Sequence, residues 1–296
     1  MAEEGIYKFL PTQLADRLRG LGIAVYKQMD GGMQGLHRSP TFGSSVEFAE
    51  YRSYVPGDPV SRIDWAVYAR TDRYMIRRYH DEVSIRSHVV LDISESMRYQ
   101  QGGPMSKMDY ACYLAAGFMY LMVQQGDSAS LITCDRGVRD RHDPAGSLGG
   151  LKSMLLALED IEPTEPGDIE QSLHDVAELV PGRALVVVIS DLLQEPEELL
   201  RGIGHLVHDG KDVTVFHVLD PGELHLPVDG LYDIEFLENH PGMVVDVTQV
   251  REAYLHRLRQ YLDEVRTGCS NAGADYFLFD TTVDVRDALL KRSVRQ

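Results

Sequence analysis

Cysteine is scarce in this chain: Cys112, Cys134 and Cys269 are its three, widely scattered. That is too few and too dispersed for a disulfide framework or a zinc knuckle. Bases are in deficit as well, 29 Lys and Arg against 46 Asp and Glu, for a formal charge of −17. So acidic a chain is poorly suited to general nucleic-acid or anionic-membrane binding, which needs positive charge facing phosphate. A wholly apolar stretch such as Ala184–Ile189 is far below the roughly 20 residues of a membrane span. The opening MAEEGIYKFL has neither the positive start nor the apolar run of a secretion signal. These shortages lead to the expectation of a soluble protein in a reducing compartment, most simply the cytoplasm.

What is present is ordinary globular material. Hydrophobic residues make up 44% and charged residues 25% of 296, enough to bury a core and too much for general disorder. Two regions differ in character. Residues 1–86 have few apolar runs, begin with a predicted helix from about Thr12 to Gln28, and pass through the Gly-rich stretch 30–35. No Lys-Ser or Lys-Thr follows those glycines, so they read as a loop and not as a phosphate cradle.

Residues 87–296 read as strand and helix in alternation. Val89-Val90-Leu91, Ala129–Thr133, Leu185–Ile189, Asp212–Val218 and Tyr276–Phe279 are predicted strands. Helices are predicted at Met108–Gln125, around Leu148–Leu158, around Ile169–Val180 and at Val250–Arg266, with a closing helix after the last strand. The first shows Ala111, Leu114, Ala115, Phe118, Met119 and Met122 as a one-sided apolar stripe. Continuous apolar strands between amphipathic helices mean an α/β fold with a mostly parallel central sheet covered on both faces. The N-terminal segment is expected to pack on it.

The segment 51–86 carries seven arginines against five acids. Its bases admit two readings, a clamp onto the acidic body or a surface for a partner, with Arg62, Trp65 and Arg70 as the contacts. Trp65, the one tryptophan, is by default a core or interdomain anchor, with a partner hot spot as the alternative.

Chemistry gathers beyond the carboxyl ends of strands in such sheets. Two strand ends here carry aspartate, Val90-Leu91-Asp92-Ile93-Ser94-Glu95-Ser96 and Val188-Ile189-Ser190-Asp191. On a turn leaving a strand, Asp92, Ser94 and Ser96 can converge, and Asp191 can add a carboxylate directly or through water. Hard oxygens of this kind suit Mg²⁺, with Mn²⁺ or Ca²⁺ as alternatives. A blander role is open to Asp92, capping the turn while the serines bond amides. Its place between an apolar strand and a long helix, with a second strand-end aspartate, favours the ion.

Residues 87–296 resemble a von Willebrand factor A domain, whose metal-ion-dependent adhesion site begins with the D-x-S-x-S pattern of Asp92, Ser94 and Ser96. Asp191 matches that family's later strand-end aspartate. Upstream, Tyr51-Arg52-Ser53-Tyr54-Val55-Pro56-Gly57-Asp58, then Arg62-Ile63-Asp64-Trp65 and Ala69-Arg70, resemble the signature of a bacterial family, domain of unknown function 58, that joins such a segment to an A-type domain. The resemblance implies a threonine ligand from the loop 162–168. The position after its glycine is Asp168, and Thr164 lies earlier, so either would have to serve. It also implies binding through a partner's carboxylate at an open metal position. The implied partner is a MoxR-type AAA+ ATPase, in a chaperone-like role in assembly or metal insertion.

Enzyme readings find little. There is no G-x-S-x-G and no H-E-x-x-H. Ser94 stands where an aspartyl phosphatase would carry its second aspartate. Metal-dependent hydrolysis at Asp92 would need a base, for which Glu95 is the local candidate. His205 and His208 share a helix face near Asp209-Gly210, where histidine simply meets the dipole. The expectation is a binding module, not an enzyme.

Overall fold

A run such as Leu185–Ile189, apolar at every position, needs cover on both faces once it is a strand. The computed structural model of the chain, which describes residues 7–21, 37–163, 165–234 and 243–293, provides that cover. In chain order its elements begin with α1 (Thr12–Leu18), β1 (His37–Ser53), α2 (Trp65–Thr71), β2 (Met75–Val83), β3 (Arg86–Asp92) and α3 (Lys107–Gln124). Then come β4 (Ser128–Cys134), β5 (Val138–Ala145), α4 (Leu148–Glu159), α5 (Ile169–Leu179), β6 (Leu185–Ser190) and α6 (Pro196–His208). Last are β7 (Asp212–Leu219), α7 (Pro221–His225), β8 (Leu231–Ile234), β9 (Met243–Asp246), α8 (Val247–Ala272), β10 (Asp275–Asp280) and α9 (Val285–Ser293).

The contacts divide the chain into two units. The larger joins the described residues up to 21 with those from 86 onward, and the smaller spans 37 to 85. The N-terminal helix therefore belongs to the large unit, and not to the segment that follows it as the 1–86 division implied. That helix is also shorter than expected. It ends at Leu18, and Gly20 just beyond takes φ +83, a turn that glycine makes without strain. Residues 22–28 of its expected span, and the Gly-rich stretch, lie outside the described residues.

In the large unit six strands form one sheet in the order β10-β7-β6-β3-β4-β5. Every neighbouring pair is parallel except β4 with β5. This is the expected mixed α/β fold, a mostly parallel central sheet flanked by helices. Strands β6 and β7 are buried at every residue. The edge strand β5, VRDRHDPA, is largely exposed. Its charges and Pro144 suit an edge that must not recruit another chain, and the same polarity hides it from an apolar-run reading.

Helix α3 departs from the one-sided stripe. Nearly all of it is buried, from Lys107 to Val123. The reason is tertiary: β3, β4, β6 and β7 lie beneath it while α1, α4 and α9 cover its other side. A side chain at Gly117 would meet Leu289 at 2.8 Å and Leu18 at 3.3 Å, so this glycine lets α9 and α1 come close. On the opposite face, α5 and α6 bury Leu173, Val176, Leu199, Ile203 and Leu206, and α8 adds Val265 and Cys269.

The strand order positions the site. After β3 the chain moves to β4 and β5 on one side, then returns to β6 on the other, so neighbours β3 and β6 lead away in opposite directions. Their carboxyl ends form a topological switch point, where such sheets open a crevice. Among the described residues no helix is long and apolar enough to cross a membrane.

The smaller unit pairs β1 with β2 antiparallel, Arg52 opposite Ile76 and Ser53 opposite Met75. The Asp58 amide donates to the Val55 carbonyl at 3.0 Å, with Gly57 at φ +111. Proline then glycine at the centre of a four-residue turn is the type II signature. The Arg52 guanidinium holds the Asp58 carboxylate with two bonds of 2.8 Å. Asp64 caps α2, accepting from the amides of Ala66 and Val67.

Candidate functional site

Strand β3 ends at Asp92, and the turn that leaves it is built by that residue's own carboxylate. Asp92 Oδ1 accepts from the Ser94 amide at 2.9 Å, the self-made turn that aspartate favours. The Ser94 and Ser96 hydroxyl oxygens then lie 3.1 Å apart. Asp92, Ser94 and Ser96 are 6%, 1% and 4% exposed. The two hydroxyls thus meet on the buried turn that Asp92 closes, and Asp92 fills the turn-capping role.

The loop after α4 lies against this turn. The Glu95 amide donates to the Glu165 carbonyl at 2.8 Å, and Arg98 Nε to the Pro163 carbonyl at 2.5 Å. A Cβ on Gly167 would sit 2.9 Å from Ser94 Cβ and 4.0 Å from Asp92 Oδ1. Glycine is needed there by close approach. Asp168 serves elsewhere, as the N-cap of α5, its carboxylate accepting from the Gln171 amide at 3.0 Å. Thr164 lies outside the described residues.

The second strand end contributes differently from expectation. Ser190, not Asp191, touches Asp92: its hydroxyl donates to Asp92 Oδ2 at 2.5 Å. Asp191 Oδ2 instead accepts from the Lys107 ammonium at 2.7 Å, and the same ammonium donates to Glu223 Oε1 at 2.7 Å. Lys107 is wholly buried and Asp191 is 1% exposed. The Glu223 side chain also closes a capping box on α7, its Oε2 accepting from the Asp220 amide at 2.8 Å.

Burial alone would lower the Lys107 pKa, but Asp191 and Glu223 outweigh it and push it up. Asp92 has no such cation. Burial, then the nearby Asp191 charge, push it up to about 6, against hydrogen bonds from Ser190 and Ser94. His217 is driven down to about 4, chiefly by burial, and is therefore neutral. Its Nε2 donates to the Asp191 carbonyl at 2.8 Å, so its Nδ1 accepts from the Tyr276 hydroxyl at 2.7 Å. That chain steadies the backbone at Asp191.

Sequence reading missed Lys107, Ser190, Gly167 and Glu223. Two signals were available. Lys107 is the first residue of α3, where the helix dipole disfavours a cation, so a specific anion was called for. Asp220-Pro221-Gly222-Glu223 has capping-box spacing.

The oxygen set fits a hard divalent ion. Neighbouring ligands on octahedral Mg²⁺, at bonds of about 2.1 Å, lie roughly 3 Å apart, close to the Ser94–Ser96 spacing. The one ammonium is shared by Asp191 and Glu223, and Asp92 keeps only the hydrogen bonds of Ser190 and Ser94. Among the described residues no three His, Cys, Asp or Glu side chains group as a metal site, so an ion here would depend on the hydroxyls.

Elsewhere, Trp65 is 55% exposed, which overturns the core assignment. Arg70 Nε donates to the Ala66 carbonyl of its own helix. Arg62 ends a short turn at Val60–Arg62, and its side chain lies outside the described set. His205 ends up facing His174 across α5 and α6, their Nδ1 atoms 2.5 Å apart. Cys112, Cys134 and Cys269 are free and buried.

The family model described as protein of unknown function DUF58 matches residues 50–263. The uncharacterized protein Rv1480 of Mycobacterium tuberculosis is 28% identical over 236 residues, 78% of this chain and 73% of that protein. The uncharacterized protein Mb1516 of Mycobacterium bovis matches with the same figures. Among solved structures, the conserved hypothetical protein BatB of Bacteroides thetaiotaomicron is similar with a TM-score of 0.49 at 18% identity, over 71% of this chain and 97% of that one. The SpRpn10 VWA domain is similar with a TM-score of 0.42 at 11% identity, over 72% and 96%.

Proposed function

This chain belongs to the DUF58 family of proteins of unknown function, and from that premise and the site at the sheet's switch point we propose a metal-ion-dependent protein-interaction module. Asp92, Ser94 and Ser96 would hold Mg²⁺, or Mn²⁺ or Ca²⁺ in its place. When bound, the ion supplies an open coordination position for a carboxylate from outside. The observation that carries this reading is the buried trio itself: one uncompensated carboxylate and two hydroxyls 3.1 Å apart, with glycine where any side chain would intrude.

Lys107 gives the reading its electrostatics. By neutralising Asp191 it leaves Asp92 as the charge that a divalent ion would meet. A partner's Asp or Glu then approaches a site that is no longer anionic, despite the −17 of the whole chain. The sequence resemblance supports a MoxR-type AAA+ ATPase as that partner, in a chaperone-like assembly role. Binding, not turnover, is the proposed activity. Asp191 is tied to Lys107 and Asp92 to Ser190, so neither stands ready as the base that hydrolysis needs.

A thermal melt with and without millimolar Mg²⁺ tests the ion. Ligation at 100 times the Kd stabilises by about 2.7 kcal/mol, a rise of about 5–11 °C for a unit of this size. Asp92→Ala should abolish that rise and weaken chelator-sensitive partner capture. No shift in the wild type would sink the metal reading. A second reading, a metal-free scaffold binding through residues 51–86, is favoured by the exposure of Trp65 and would survive that failure.

A further inference from the structure

The signature segment of the smaller unit contains an asymmetry of charge. Its acids are largely spent internally. Asp58 is held by Arg52 and accepts from the Val55 amide, and Asp64 accepts from the Tyr51 hydroxyl and two amides. Its bases are not. Arg73 is exposed and makes no hydrogen bond or ion pair among the described residues, and Arg70 reaches only the carbonyl of Ala66 in its own helix. Asp72, exposed at the end of α2, is the carboxylate between them.

The same face is aromatic. Helix α2 has no buried residue. Trp65 and Tyr74 are 55% and 48% exposed. Tyr68 and Tyr74 stack with ring centres 4.5 Å apart, and Trp65 stands edge-on to both at 6.0 and 6.5 Å. Tyr54 extends the cluster, 6.5 Å from Tyr74. Single exposed apolar residues are commonplace, whereas a contiguous group marks an interaction site. Trp, Tyr and Arg are moreover the residues that dominate binding energy at protein interfaces.

We propose that this face, built by Trp65, Tyr68, Tyr74 and Tyr54 with Arg70 and Arg73, docks an acidic segment of a partner protein that carries an apolar anchor. The aromatic cluster takes the anchor, and the two unneutralised guanidiniums take the carboxylates. Charge complementarity selects this occupant: Arg70 and Arg73 flank the aromatic cluster, and residues 51–86 carry seven arginines against five acids. The docking does not rest on the ion site, and it gives the family signature a role that turn geometry alone leaves open.

Trp65 is the one tryptophan and so reports on its own face. The full chain is titrated with a glutamate–leucine copolymer at low salt while Trp65 emission and its quenching by acrylamide are followed. Emission should shift to the blue and quenching should slow. In Arg70→Glu/Arg73→Glu the affinity should fall by roughly tenfold or more, while Arg257→Glu/Arg259→Glu, with the same charge change on α8, binds as wild type. Trp65→Ala, read by anisotropy of labelled copolymer, should bind as weakly as the arginine pair. These exposed variants should melt with the wild type, and Arg70→Gln/Arg73→Gln serves if the reversed charges unfold. An unmoved Trp65, equal affinity in the two arginine pairs, or tighter binding of a single-stranded oligonucleotide would overturn the proposal.

Discussion

Replacing Lys107 by Met tests the electrostatic centre of this structure. The ammonium is wholly buried and 2.7 Å from both Asp191 and Glu223. Methionine keeps most of the volume and removes the charge, stranding two carboxylates in a site with little water. Breaking a buried ion pair from one side costs about 3–5 kcal/mol. The melting temperature should fall by about 6–20 °C for a unit of this size. The loss has a characteristic pH dependence. Burial already raises the Glu223 pKa, and Lys107 opposes that rise, so without the ammonium it goes higher still. A raised carboxylate disfavours the folded state when ionised, so the deficit is complete above the raised value and fades as pH falls toward the unfolded value near 4. Melts of wild type and variant from neutral to acid pH measure it directly. Lys107→Met/Asp191→Asn should recover part of the loss, since one stranded charge is gone. A deficit under about 1 kcal/mol at neutral pH, or one that ignores pH, would refute the reasoning, because only an ion pair of little weight behaves so.

Asp92→Asn should act in the opposite direction in chelator. A carboxylate raised from 3.8 to about 6 costs the folded state up to roughly 3 kcal/mol at neutral pH, at 1.36 kcal/mol per unit. The amide should therefore raise the neutral-pH melting temperature without metal, with the gain shrinking as pH falls through 6. An unchanged or lower melting temperature in chelator would contradict the uncompensated charge. Gly167→Ala places a Cβ 2.9 Å from Ser94 Cβ and should cost about 1–3 kcal/mol. It should also blunt the Mg²⁺-induced shift, so a melt that keeps both stability and ion response would show the loop to be slack.

Much of the large unit was legible because its signals are local. Leu185–Ile189 could only be a covered strand, and Ile169, Leu173 and Val176 mark an amphipathic helix. What stayed hidden was decided elsewhere in the chain. The stripe on α3 reads as one face, yet α1 and α9 bury the other. Strand β5 is polar because it is an edge. Trp65 looked like core by residue type, but it is exposed on a helix that has no buried residue.

The sequence by itself determined the α/β class, five of the six strands of the sheet and the pattern that puts Asp92, Ser94 and Ser96 on one turn. Hydrophobic period and a two-residue spacing on one turn are properties of neighbouring residues. Only the tertiary structure decided which second strand end supplies what: Ser190 to Asp92, and Asp191 to Lys107 more than 80 positions away. A buried charge takes whichever partner the fold brings within about 3 Å, and that distance across the switch point is set by strand order, which no local pattern encodes.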